Sequence, residues 1–276
     1  MNIHFTNKNL FDDLKKQTIT SLKVGSHMYG LDTPTSDTDY LSIYIEPERN
    51  RNSFMWEHHQ LQYKNNNIDY NFSSLQNFIR NALTGDATIN FEVIHSKDLL
   101  QTNLAWLYEY KDFFINYNII KSYLGLAKRD LKYWKKDTNN GKKHTTETHK
   151  KLSHFVRGIL FAKLLSENNF DFNLKSKHTF SEFNYNDLEL LSKIKIGLLD
   201  YSFDYIISVI NPYMEQLRIL NNKKLEEGSI HRYMKTDILA KLDTEIQKTV
   251  EKMDTEIVFL DYDNLFYKAL EEGIEY

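Results

Sequence analysis

The sequence predicts an α+β protein, with a mixed sheet and its helices in residues 1–100 and an α-helical domain in residues 101–276. Segments rich in β-branched and aromatic residues are confined to the first hundred residues. Beyond them, apolar residues recur every three or four positions, the spacing of helices that bury one face. Only 9 glycines and 3 prolines in 276 residues also favour long regular elements over a loop-rich architecture.

The first region is predicted to hold two helices and four strands. In chain order these are a helix over Asn9–Gln17, strands over Ser21–Gly25 and Thr38–Ile45, a hairpin of Gln60–Lys64 and Ile68–Phe72, and a helix that begins at Ser73 or Ser74 and ends at Thr84-Gly85. The last helix is predicted from apolar residues at i, i+3, i+4, i+7 and i+8, a serine cap and a terminal glycine.

The second region shows helical spacing throughout. The predicted helices are Leu104–Tyr117, Ile119–Lys136, Thr146–Ser166, Tyr185–Leu198, Phe203–Glu227 and Thr236–Lys252. The lysine- and asparagine-rich stretch Asp137–Lys143 is predicted to be an exposed connection.

Composition excludes several classes of protein and site. Cysteine is absent, so neither disulfides nor thiolate metal sites can form. The N-terminal stretch has no apolar signal-peptide core, and no apolar run is long enough to span a bilayer. The sequence therefore predicts a soluble, cytoplasmic protein with no membrane partner.

The charge is unevenly distributed. Residues 121–157 carry nine lysines and two arginines against three acidic residues, a net of +8 in a chain whose net charge is −3. Such a block is typical of a solvated helix face, and it is also what an anionic partner requires.

One short stretch, VGSHMYGLDTPTSDTDY from Val24 to Tyr40, holds the candidate chemistry. Asp37 and Asp39 lie two residues apart at the start of a strand and so point to the same face. Two carboxylates so close repel each other unless a cation lies between them, and oxygen ligands favour Mg²⁺ or Mn²⁺. Gly25-Ser26 follows a strand, where glycine lets the backbone approach a phosphate. Asp69, on the polar face of the hairpin's second strand, can supply a third carboxylate.

These residues resemble the signature of the polymerase-β-type nucleotidyltransferase superfamily: Gly-Ser, about ten residues, Asp-x-Asp, then a third strand carboxylate. GSHMYGLDTPTSDTDY is similar to the form found in a predicted nucleotidyltransferase group associated with RNA repair. The similarity continues through IDYNFSSLQNFIRNALTGDATINFEVI and, more weakly, KLSHFVRGILFAKLL. His27 departs from it, because that group often has an arginine after Gly-Ser.

The resemblance implies a Mg²⁺-dependent (or Mn²⁺-dependent) enzyme with a nucleoside triphosphate as substrate. Asp37, Asp39 and Asp69 would hold two ions, with Asp69 also the candidate general base. Gly25 and Ser26 would bind phosphates, and the helical domain would close over the cleft. The resembling group's K-x-x-H-x-x-R pattern corresponds here to Lys151, His154 and Arg157 as nucleotide-binding residues, with Lys150 as an alternative to Lys151; an ordinary solvent-facing helix edge is the other interpretation of these positions.

Three classes of molecule are candidates to accept the transferred nucleotide. The basic block, in which Tyr123, Tyr133 and Trp134 alternate with lysines and arginines, favours an RNA end, such as tRNA or broken RNA. The other interpretation of those aromatic residues is that they form the core side of an amphipathic helix. A protein side chain or a small hydroxylated molecule is an alternative acceptor, and a non-catalytic nucleotide-binding or partner-binding module is the alternative to an enzyme.

Glu92 is interpreted as a structural residue that accepts a hydrogen bond near Thr88, at a helix end.

Overall fold

The computed structural model describes residues 2–5, 8–34, 36–45, 60–65, 67–141, 145–167, 170–171, 173–226 and 236–252. The N-terminal region contains strands β1 (Asn2–Phe5), β2 (Thr18–Val24), β3 (Thr38–Tyr44), β4 (Gln60–Asn65) and β5 (Ile68–Ser74), and helices α1 (Lys8–Lys16), α2 (Ser26–Tyr29), α3 (Leu75–Thr84) and α4 (Thr88–His95). The strands form one sheet in the order β1-β4-β5-β3-β2. The pairs β2/β3 and β4/β5 are antiparallel, whereas β3/β5 and β1/β4 are parallel. The predicted mixed sheet and α+β class are confirmed.

The two faces of the sheet belong to different cores because side chains alternate along a strand. On β3, Leu41 and Ile43 belong to the large core that the helices bury. Tyr44 points the other way, into a small cluster with Leu10 and Leu14 of α1. Asp39 has the same parity as Leu41 and Ile43, so it lies on the face turned toward the helical region.

The remaining elements are helical. They are α5 (Ala105–Glu109), α6 (Tyr117–Asn139), α7 (Thr146–Ser166), α8 (Asp187–Ile196), α9 (Phe203–Glu226) and α10 (Thr236–Lys252), with 3₁₀ turns at Lys97–Gln101, Lys111–Phe114 and Leu174–Ser176. Helices α6 and α7 pack closely at Gly158, where an added Cβ would lie 3.0 Å from the Cβ of Ala127. This close packing holds the polar side of α7 beside the sheet.

Most predicted elements are found within a few residues of their expected bounds, two predictions differ, and β1, α2 and α4 are additional elements. The predicted helix Leu104–Tyr117 is instead a short helix followed by a 3₁₀ turn. Helix α6 continues to Asn139, into the stretch predicted as a connection, of which residues 142–144 lie outside the described residues. Helix α4 was not predicted, because it is buried on nearly all sides and therefore has no amphipathic signature.

The division into two domains at residue 100 stays a prediction. One continuous core contains residues from both sides of it, from Ile19 in β2 to Leu242 in α10. Among the described helices, none is long and apolar enough to cross a bilayer.

Candidate active site

The Gly25-Ser26 turn connects β2 to α2 next to the start of β3, where Val24 pairs with Asp39. Gly25 has φ 65° and ψ −136°, a conformation that residues with a Cβ rarely adopt. A Cβ at this position would also lie 2.9 Å from Oδ2 of Asp39. Glycine is therefore needed twice here, for its backbone geometry and for its contact with the carboxylate.

The three predicted carboxylates come together at one end of the sheet. Asp39 is the register partner of Val24 on β2 and of Asp69 on the parallel strand β5. Asp37 precedes β3, where a turn closed by Thr33 and Ser36 directs it, since the Thr33 amide donates to Ser36 Oγ at 2.9 Å. One carboxylate oxygen from each aspartate lies within 4.8 Å of the others. The donor set is entirely oxygen, which is the set that Mg²⁺ or Mn²⁺ prefers.

The electrostatics of this group favour a cation. Burial, then the charges of Asp37 and Asp69, raise the pKa of Asp39. Lys64 on β4 donates to Oδ2 of Asp69 at 3.0 Å, while Oδ1 of Asp69 is buried with no hydrogen-bond partner among the described residues. The aspartates therefore carry more negative charge than their surroundings neutralise, and the residues present fit one or two divalent ions.

A cleft of about 490 Å³ lies between this end of the sheet and helices α7 and α8. It is lined on one side by Gly25, Ser26, Thr33, Ser36, Asp37 and Asp39, and on the other by Thr146, His149, Lys150, His154, Arg157, Lys195 and Ile196. Its volume is within the range of about 300–1,000 Å³ typical of small-molecule sites. Asp69 lies beside these two aspartates, with one carboxylate oxygen within 4.8 Å of theirs. Negative and positive groups thus face each other across one cavity.

Lys150 lines the cleft, whereas Lys151, which was predicted to bind the nucleotide, does not appear among the lining residues. Lys151 donates to Asp137 at 2.5 Å and pairs with Glu147 at 3.2 Å, on a different side of α7 from the cleft. Lys150, the alternative, lines the cleft together with His154 and Arg157. At 3.6 residues per turn, Lys150 and Arg157 lie about 20° apart around the helix, whereas Lys151 and Arg157 lie about 120° apart.

His154 is a neutral side chain in a cationic wall. Burial, together with the nearby charges of Arg157, Lys150, Lys195 and Arg129, lowers its pKa to about 3. Its Nδ1 lies 3.8 Å from a carboxylate oxygen of Asp130, which also pairs with Arg129 at 3.0 Å. At neutral pH, His154 can therefore contribute hydrogen bonds to the cleft but no charge.

Lys195 is a cleft residue that the sequence did not indicate. It lies near the end of α8, and its ammonium donates to the carbonyl of Leu31 at 2.5 Å, on the opposite wall. Helix α8 can come this close because it ends at Gly197, where an added Cβ would lie 2.2 Å from the ring of His149 on α7. The sequence indicated that a glycine ends this helix, but it did not indicate that the glycine packs against α7.

Glu92 is structural, as interpreted, but its partners differ from the helix end that was expected. It is 2% exposed, and its two oxygens accept hydrogen bonds from the hydroxyls of Tyr29 in α2 and Tyr123 in α6. The guanidinium carbon of Arg157 lies 4.4 Å from the centre of the Tyr29 ring. A buried polar cluster therefore supports Arg157 from behind.

The aromatic residues of the basic block do not form a stacking surface together. Tyr123 and Trp134 are buried in the core, at 2% and 4% exposure, whereas Tyr133 is 46% exposed. The interpretation of Tyr123 and Trp134 as core residues of an amphipathic helix is therefore confirmed, and the stacking interpretation is wrong for these two. The exposed side of α6 is basic.

Comparisons with known proteins bear on this arrangement. The crystal structure of a nucleotidyltransferase-like protein from Exiguobacterium sibiricum 255-15 is similar with a TM-score of 0.30 and 12% identity, over 82% of this chain and 75% of that one. An uncharacterized 38.9 kDa protein in the nrdC-mobD intergenic region of Enterobacteria phage T4 is 28% identical over 127 residues. That match covers 41% of this chain and 37% of the phage protein, so the chain spans little more than a third of that relative's length.

A family model also matches the chain. The model of the RNA repair pathway DNA polymerase beta family covers residues 8–183, more than half of the chain and every candidate site residue predicted from the sequence. The chain therefore belongs to the RNA repair pathway DNA polymerase beta family, which confirms its predicted resemblance to the nucleotidyltransferases of the polymerase-β type.

Proposed function

We propose that this protein transfers a nucleoside monophosphate from a nucleoside triphosphate to a hydroxyl acceptor, with Mg²⁺ or Mn²⁺ as cofactor. The observation that carries the proposal is one cleft with Asp37 and Asp39 on one side, grouped with the neighbouring Asp69, and Lys150, Arg157 and Lys195 on the other. The three cations complement the negative charge of a triphosphate, and the aspartates would hold the divalent ions that accompany it.

Each side chain has a role in this proposal. Asp37, Asp39 and Asp69 would hold one or two divalent ions, which when bound neutralise phosphate charge and lower the pKa of the acceptor hydroxyl. Gly25 and Ser26 would contact the β- and γ-phosphates through the backbone and a hydroxyl. Lys150, Lys195 and Arg157 would bind the phosphates that leave as pyrophosphate, and His154 would donate a hydrogen bond.

The reaction that these residues would support is an in-line displacement. The acceptor oxygen forms a bond to the α-phosphorus, and the bond from that phosphorus to the oxygen bridging the β-phosphate breaks. The hydroxyl proton would pass to Asp69, which lies next to Asp39 on the neighbouring strand β5. Pyrophosphate leaves with the bridging oxygen.

An RNA end is the proposed acceptor, because of a surface on α6. Lys121, Lys128, Lys132 and Lys135 are all exposed and lie within about 60° of arc around the helix, and we call this surface the lysine stripe. None of the four forms an ion pair with another residue in the part of the chain that the structure describes. Unpaired lysines in a row are suited to successive phosphates of a nucleic-acid strand.

Transfer can be tested with each α-labelled nucleoside triphosphate, Mg²⁺ or Mn²⁺, and total RNA, total protein or no acceptor. We expect label to become covalently attached to RNA, and expect Asp39→Asn to abolish the attachment. Label on protein or on the small-molecule fraction alone would replace the RNA acceptor. If the nucleotides bind with no transfer to any fraction, the protein is a binding module.

A further inference from the structure

The cluster behind Arg157 has an unusual arrangement of charge. Glu92 is buried, with Oε2 bonded to the hydroxyl of Tyr29 and Oε1 bonded to the hydroxyl of Tyr123 at 2.7 Å. Burial raises the pKa of Glu92, and the charge of Arg157 acts in the opposite direction. Burial also raises the pKa of both tyrosines, so their hydroxyls remain protonated donors.

Arg157 lies beside this carboxylate without being paired to it. Its guanidinium carbon lies 4.4 Å from the centre of the Tyr29 ring, and the side chain also lines the cleft. No ion pair joins Arg157 to a carboxylate within the residues that the structure describes. A buried arginine near a glutamate usually forms a two-pronged pair, because both groups lose hydration on burial.

The hydroxyl groups compete with Arg157 for the oxygens of Glu92. Each oxygen of Glu92 already accepts a hydrogen bond, and the Tyr29 ring lies against the guanidinium. The planar fork of the arginine, which carries five N–H donors, is therefore left to the cleft. The negative charge of Glu92 still stabilises the cation from a distance.

We propose that Tyr29 and Tyr123 are positioning residues that occupy the carboxylate of Glu92 and so keep Arg157 available to a phosphate group of the nucleotide. Glu92 provides the countercharge that stabilises the partly buried Arg157 before the nucleotide binds. This inference rests on the nucleotide site proposed above. It predicts that loss of a tyrosine hydroxyl and loss of the glutamate charge have different effects on nucleotide affinity.

The test measures the dissociation constant of a nucleoside triphosphate for the full chain by calorimetry, so it needs no turnover. Tyr123→Phe frees Oε1 of Glu92, which can then capture Arg157, and we expect affinity to fall about 10-fold, equivalent to about 1.4 kcal/mol. Glu92→Gln removes the competing charge, so affinity should be equal to or tighter than that of the wild type. The melting temperature of the ligand-free Glu92→Gln protein should fall, because Arg157 loses its countercharge.

Double variants separate positioning from a general structural defect. In a Glu92→Gln or an Arg157→Met background, Tyr123→Phe should have no further effect on affinity. Tyr213→Phe is the matched control, since its hydroxyl donates to Glu182 at 2.8 Å on a different side of the molecule. If Tyr123→Phe does not fold, Tyr29→Phe frees the other oxygen and tests the same claim.

The outcomes distinguish this inference from the proposed function. A wild-type protein that binds no nucleoside triphosphate overturns both. Normal wild-type binding overturns the positioning role alone if any of three results is found: Tyr123→Phe binds as tightly as wild type, its defect persists in Arg157→Met, or Glu92→Gln weakens binding as much as Tyr123→Phe does.

Discussion

Asp39 and Asp69 are register partners on the parallel strands β3 and β5, so both carboxylates lie on the same face of the sheet. Asp37 lies two residues before Asp39, and the three side chains bring an oxygen each within 4.8 Å of one another. Leu41 and Ile43, further along β3 on the same face of the sheet, are buried in the large core under the helices. The three aspartates therefore lie at the edge of that core.

Replacement of Asp39 by asparagine should abolish transfer while it stabilises the ligand-free protein. Loss of one ligand and its charge should reduce turnover by ~10³-fold or more. The folded-state pKa of Asp39 is raised, so its contribution to stability is present at low pH and is lost as pH rises through that pKa. At neutral pH the melting temperature of Asp39→Asn should therefore equal or exceed that of wild type. A variant that keeps a tenth of wild-type turnover would contradict the metal-site assignment.

Gly25→Ala and Gly30→Ala form a matched pair. Both glycines have positive φ, at 65° and 68°, so each substitution strains the backbone. The cost should be about 1 kcal/mol in the left-handed conformation of Gly30 and larger at Gly25, where ψ is −136°. Only at Gly25 would the new Cβ meet a neighbour, Oδ2 of Asp39 at 2.9 Å, whereas nothing lies within 4 Å of a Cβ at Gly30. We expect Gly25→Ala to lose Mn²⁺ binding and transfer, and Gly30→Ala to keep both; equal losses would mean that the turn matters only for folding.

Lys150→Ala and Lys151→Ala test the correction to the helical edge. Lys150 lines the cleft, so its loss should raise the Michaelis constant for the nucleotide and lower kcat/KM by ~30-fold, about 2 kcal/mol for a charge-assisted contact. Lys151 pairs with Asp137 and Glu147, so its loss should slightly lower the melting temperature and leave the kinetics unchanged. A kinetic defect in Lys151→Ala with normal kinetics in Lys150→Ala would show that Lys151 is the residue that contacts the nucleotide.

The lysine stripe predicts a salt-dependent affinity for single-stranded RNA. Simultaneous replacement of Lys128, Lys132 and Lys135 by glutamine should reduce the slope of log affinity against log salt by ~2, because each lost phosphate contact removes about 0.7. Glutamine at Lys8, Lys15 and Lys16 of α1, which are also exposed, is the charge-matched control. A slope that changes equally in both triple variants would indicate non-specific attraction and leave a protein or small-molecule acceptor.

His154 should remain neutral in the working range of the protein. Between its folded-state pKa of about 3 and its ordinary value of 6.5, only the unfolded chain binds a proton at this residue. Stability should therefore rise with pH across that window, and His154→Gln should flatten the rise. Melting temperatures at pH 4.5 and 7.5, with the exposed His178→Gln as control, measure this effect. An unchanged pH dependence in His154→Gln would show that His154 is protonated equally in both states.

The sequence by itself predicted the fold class, the bounds of most elements, and the grouping of Asp37, Asp39 and Asp69. These are local properties: alternation predicts strands, a spacing of three or four predicts helices, and Gly-Ser followed by Asp-x-Asp occurs within a single stretch of chain. Even Asp69 was recoverable, because the hairpin that carries it has strong strand signals. Information of this kind is carried by neighbours in the sequence.

Tertiary structure decided which cations face the aspartates. Lys150 and Lys151 are adjacent and chemically identical, and only the packing of α7 against α6 and α8 determines which of them turns to the cleft. Lys195 lies far along the sequence from the other charged residues of the cleft, and its place there depends on the approach of α8 to His149 at Gly197. Tyr29, Glu92 and Tyr123 come from three different helices, so their shared hydrogen bonds exist only once those helices have packed. Side-chain direction on a helix is set by the rotation of the helix about its axis, and that rotation is fixed by the apolar surface it buries against its neighbours.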